Sequence, residues 1–152
     1  MRLTGFLCGG QFVDGFFANT AFACLRVFSG SALAILHGRA KLPVTGHLVA
    51  KYGEMGLPNP EIFAWAAAVI EVGGGLLVAL GLLTRPAAFL VVLSLGLAAF
   101  VGQSGEAIIH RELALLYLGV FLVFTFSGAG RFSIDRLIAE SRRKGGDVRR
   151  LE

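Results

Sequence analysis

Charge is scarce in this chain. Asp, Glu, Lys and Arg make up 16% of its 152 residues, against about 25% in an ordinary soluble domain. A soluble fold of this size would lack the polar surface to cover itself. Cysteine is sparse too: the two present, Cys8 and Cys24, form no C-x-x-C and join no Cys/His cluster at zinc spacing, so neither a disulfide framework nor a structural metal site follows. No segments of about ten residues alternate apolar and polar side chains, which excludes a membrane β-barrel. Acidic residues are the rarer sign, 10 against 14 Lys and Arg, for a net charge of +4. The basic residues gather at one end with no accompanying nucleic-acid motif, and no nucleic-acid partner is expected.

What the chain does have is apolar length. The class AVILMFWYC accounts for 55% of it and the mean hydropathy is +0.73. Four apolar runs approach the roughly 20 residues needed to cross a hydrocarbon core of about 30 Å. They occupy about residues 16–36, 62–83, 87–103 and 107–127. The expected fold is therefore all-α, a polytopic bundle of four transmembrane helices over residues 1–141, followed by a basic tail at 142–152. Pro58 and Pro60 precede the second run and Pro86 opens the third, where a missing N–H costs nothing. The lipid bilayer is the first partner. Asp14 and Arg26 flank or interrupt the first run, so it does not read as a cleaved signal peptide.

Orientation follows from Lys and Arg near the span ends. Nine lie on one side (Arg2, Arg85 and seven in the tail from Arg131) and four on the other: Arg39, Lys41, Lys51 and Arg111. That count places both termini in the cytoplasm. From Phe132 to Ile138 the tail reads as a short interfacial helix capped by Ser133. The run Arg142, Arg143, Lys144 beyond it suits anionic headgroups.

Two charges stand inside the runs. An ionised side chain at mid-bilayer costs at least about 2.5–3.5 kcal/mol, so Arg26 and Glu71 need compensation. Arg26 lies 11 residues before His37 and Glu71 nine residues after Ile62, which puts both at about the same depth, about 14–16 Å. An Arg26–Glu71 ion pair is the expected solution, with small residues (Gly30 on one helix, Gly74 and Gly75 on the other) letting the helices close around it. Such a pair either fixes helix register or serves a ligand. His37, Lys41 and Glu112, with Glu106, His110 and Arg111, form a second polar group near the outer span ends.

Three blocks resemble the DoxX family of small bacterial membrane proteins. The first is Leu25–Arg26, Gly30, His37–Gly38 and Lys41, followed by Gly56–Leu57–Pro58. The second runs from Glu71 through Gly73–Gly74–Gly75 to Thr84–Arg85. The third is Glu112 and the stretch Gly128 to Asp135. Together they cover about residues 22–138. The resemblance implies a four-helix protein of the bacterial inner membrane with a loose link to redox chemistry, since relatives include a subunit of a thiosulfate:quinone oxidoreductase. The family's polar positions map onto Arg26, His37, Lys41, Glu71, Glu112 and Asp135.

The resulting expectation is a subunit of a quinone-linked membrane oxidoreductase assembly. Glu71 and Arg26 are its candidate catalytic residues, and His37, Lys41 and Glu112 its ligand-binding residues. Quinone is the cofactor the resemblance admits, and electrons would come from a protein partner in the complex. The alternative is a structural or accessory subunit that packs against a larger membrane complex and carries out no chemistry.

Overall fold

The computed structural model describes residues 15–102 and 108–148, the side chains of 108, 110 and 142–148 excepted. The expectations for Cys8, Glu106, the His110 side chain and the side chains of Arg142, Arg143 and Lys144 fall outside the described residues. Among those residues all regular structure is helical, with no strand. It forms α1 (Phe16–Lys41), α2 (Gly46–Glu54), α3 (Pro60–Leu80), α4 (Thr84–Gly102), α5 (Ile108–Ser127) and α6 (Ile134–Val148). Helices α1, α3 and α4 have 26, 21 and 19 residues and are long and apolar enough to cross a membrane. Helix α5 has 20 residues, about 30 Å at 1.5 Å per residue.

Hydrophobic burial gains little between helices in lipid, so close approach of backbones carries much of the packing. Glycines supply it between α1 and α3. A Cβ on Gly30 would lie 2.6 Å from the Gly75 carbonyl oxygen, one on Gly75 2.7 Å from that of Gly30, and one on Gly38 2.7 Å from the Val72 nitrogen. The buried core gathers Leu33, Val78, Val91, Leu95, Phe121 and Phe124 from four helices. Other phenylalanines, among them Phe17, Phe28 and Phe126, turn outward, as suits a lipid-facing surface.

These contacts set a register that corrects the one assumed from the sequence. Gly38 packs beside Glu71 and Val72, so His37 stands about nine residues, or roughly 14 Å, further along α3 than the level of Ile62. Helix α1 ends beside the middle of α3, and α2 fills the space beyond it. Thr45 caps α2 through its hydroxyl, and Tyr52 buries itself with Ala64 and Ala67 of α3. Proline opens α3 at Pro60. Its end is a glycine-capped turn, with the Gly81 N–H donating to Val78 and the Leu82 N–H to Leu77. Gly81 takes the left-handed conformation that this cap needs, at φ 70°.

Three helices contain a wide, π-type turn: Leu33–Gly38 in α1, Ile70–Gly74 in α3 and Ala98–Gly102 in α4. Such turns make up well under 1% of residues in soluble proteins and occur frequently at functional sites. Here all three contribute residues to one cavity.

Candidate functional site

That cavity, about 370 Å³ in volume, lies where α1, α2, α3, α4 and α5 meet. Leu33, Leu36, Leu95 and Leu113 give it apolar walls, and its polar lining is His37, Lys41, Lys51, Tyr52, Glu71 and Tyr117. A mostly apolar hollow of this size with a few convergent polar groups is the usual form of a small-molecule site.

Its centre is an ion pair between Lys41 and Glu71. The Glu71 side chain is 1% exposed and that of Lys41 24%, so the pair is buried at one end and open to the cavity at the other. Ser94 of α4 donates a weak hydrogen bond to the same carboxylate oxygen at 3.5 Å. The extra residue in the wide turn of α3 lets Glu71 face α1 and α4 together. The His37 ring stands edge-on to Tyr117, with centroids 5.2 Å apart at 72°, which ties α1 to α5. On α2, burial and then the Glu71 charge push the Tyr52 phenol up to about 12. It therefore stays a hydrogen-bond donor across the whole physiological range.

His37, Lys41 and Glu71 are thus brought together. Arg26 is not. Its expected pair with Glu71 does not form, because the α1–α3 register sets it against Gly81, where a Cβ would lie 2.7 Å from Nη1. Gly81 is ten residues, or about 15 Å, along α3 from Glu71. Arg26 donates instead to the carbonyls of Ala129 and Phe132, the latter at 2.7 Å. Nor does Glu112 line the cavity. It is exposed on α5, while Ala114 and Tyr117 of the same helix, both half-buried, line the cavity.

Around Arg26 the third sequence block makes a clasp. The buried carboxylate of Asp135 accepts from the backbone N–H groups of Leu83 at 2.8 Å and Thr84 at 3.1 Å, capping α4 across 51 residues of chain. Its own N–H donates to the Gly81 carbonyl at 2.9 Å. Ser133 caps α6, accepting from the Arg136 N–H at 3.3 Å. Gly128 and Gly130, at φ 79° and 75°, turn the chain between α5 and α6. Arg26 and Asp135 therefore hold one end of the bundle shut, away from the cavity.

Sequence reasoning missed Tyr52, Lys51, Ser94 and Tyr117. A signal existed for Tyr52: Leu48, Tyr52 and Met55 fall at i, i+4 and i+7 after the cap residue Thr45, the mark of a short amphipathic helix. Ser94 and Tyr117 sit inside apolar runs where nothing in the local pattern marks them.

Comparison with known proteins places these features in a family setting. The model of the DoxX family matches residues 21–104. An uncharacterised protein of Haemophilus influenzae Rd is 39% identical over 113 residues, spanning 66% of this chain and 78% of that one. The inner membrane protein YphA of Escherichia coli K12 is 31% identical over 111 residues, spanning 67% and 79% respectively. No solved structure matches.

Proposed function

This chain belongs to the DoxX family, and from that premise we propose that it is an inner-membrane protein serving as the ring-binding subunit of a quinone-linked oxidoreductase assembly. The single observation that carries the reading is the buried Lys41–Glu71 pair opening onto an apolar cavity. The inner-membrane placement is supported by the similarity to YphA. The Lys and Arg count favours cytoplasmic termini.

The donors present suit a ring that carries acceptor oxygens. Lys41, Tyr52 and His37 offer N–H or O–H groups to such oxygens, and the leucines around them exclude water. A quinone supplies the acceptance of electrons and protons at those oxygens. Glu71 then has a definite task. It anchors the Lys41 ammonium at the cavity wall, and the ammonium's remaining N–H groups are then aimed at a ring oxygen while the ion pair persists. The sequence has no cofactor-ligating motif of its own, so electrons come from a partner protein. Arg26 holds the helix ends and takes no part.

The test is purification from native membranes in mild detergent, followed by mass spectrometry of the copurifying proteins and small molecules. The reading expects a quinone and a stoichiometric redox partner with the wild-type chain, and loss of the quinone alone in Glu71→Gln. Fixed association with a complex whose activity survives Glu71→Gln would make this chain a structural subunit instead.

A further inference from the structure

The polar cavity does not end at the surface of the bundle. Leu36, 65% exposed, lines the cavity on one side and an apolar groove of about 930 Å³ on the other. The groove follows the outer face of α1 from Ile35 and Leu36 back to Phe16, where Phe132 from the α5–α6 connection closes it. Small side chains at Ala23, Cys24 and Ala32 alternate there with bulky ones at Phe16, Phe28 and Leu36, which leaves a trough. The trough offers little to a polar partner. The Thr20 hydroxyl is spent on the Phe16 carbonyl of its own helix at 2.9 Å. From Leu36 to Phe16 is 20 residues, about 30 Å of helix.

A donor-rich chamber whose rim residue is also the first wall of a hydrocarbon trough matches a molecule with a polar head and one long tail. We propose that the α1 groove is a tail subsite: the occupant is a single-chain amphiphile whose acceptor-bearing ring sits in the cavity and whose hydrocarbon chain lies along α1. It enters sideways from the bilayer past Leu36. This inference rests on the ring-binding reading above and adds to it the class of ligand and its route. Association in lipid gains from close van der Waals contact rather than from leaving water, so a trough matched to a chain is what would hold a tail in preference to bulk lipid.

The experiment uses the full-length protein in detergent and two probes with one headgroup: 2,3-dimethoxy-5-methyl-1,4-benzoquinone without a tail, and the same ring with an octadecyl chain, long enough to pass Ala23, which lies 13 residues or about 20 Å from Leu36. The tailed probe is expected to bind at least about tenfold tighter. Ala23→Trp, which fills the trough from its lipid-facing side, is expected to remove that advantage while leaving the tailless probe within about twofold of its wild-type affinity. Ala32→Phe provides a second filling substitution should the first fail to fold. Unchanged affinity for the tailed probe in the filled variants overturns the proposal, as does equal weakening of both probes. A wild-type dimer that Ala23→Trp dissociates, with tail binding intact, assigns the groove to a second copy and overturns it too. Binding of neither probe to the wild type removes the ring site itself, an outcome distinct from failure of the tail subsite alone.

Discussion

Lys41→Met leaves the Glu71 carboxylate 1% exposed and without its cation. Removing one partner of a buried pair costs about 3–5 kcal/mol, whereas replacing both with apolar residues of similar volume is often neutral. Lys41 retains 24% exposure, so the lower end, about 3 kcal/mol, applies to the single change. For a chain of this length that corresponds to a fall in Tm of about 6–12 °C. Lys41→Met combined with Glu71→Leu is expected to recover most of the loss. Reversible unfolding in mixed detergent across the two single variants, the double variant and the wild type gives the interaction energy directly. A matching cycle on Arg26→Met and Glu71→Gln should be additive within about 0.5 kcal/mol, because the two groups are well separated. Additivity at Lys41 and Glu71, or strong coupling at Arg26 and Glu71, would refute the helix register and restore the pairing read from sequence.

Other consequences follow from the same contacts. Asp135→Ala removes the cap on α4 and leaves two N–H groups unpaired, at a cost of about 2 kcal/mol, and thermal unfolding should show it while ring binding persists. Gly38→Ala puts a Cβ 2.7 Å from the Val72 nitrogen; with backbone in the way, α1 must move, and the Lys41–Glu71 cycle should lose its coupling. In a Tyr117→Phe background, ultraviolet titration of the remaining phenol should give a midpoint of about 12 against the ordinary 10.0, and Glu71→Gln should lower it. Because the fold favours the neutral phenol, the stability contribution of Tyr52 is fully present below pH 10.0 and disappears as pH rises through about 12. A midpoint at the ordinary value would place Tyr52 outside the buried site.

The all-α, membrane-spanning character was legible because span length is a local property. About 20 apolar residues either stand together or they do not. The capping role of Ser133 was equally local. Register was not. Polar residues after Leu36 point to the first span ending there, yet α1 runs on through His37 to Lys41, since Glu71 of α3 offers those residues a polar place inside the bundle. Where one helix stops therefore depends on a side chain 30 residues away. That displacement moved Arg26 from the site to the clasp and brought Lys41 in from the loop. Asp135 shows the same dependence: a carboxylate near the start of α6 caps α4, and only the folded chain brings the two ends together. Glu112 stands close in sequence to the outer span end, but the turn of α5 aims Ala114 and Tyr117 at the cavity instead.

The most direct test of the central claim is equilibrium binding of the tailless benzoquinone ring to purified wild-type protein, to Glu71→Gln and to Tyr52→Phe, with folding of each verified by circular dichroism. Saturable binding by the wild type that is lost in folded Glu71→Gln and weakened about tenfold in Tyr52→Phe is the predicted result. Equal affinity in all three proteins, or no saturable binding in the wild type, would contradict it.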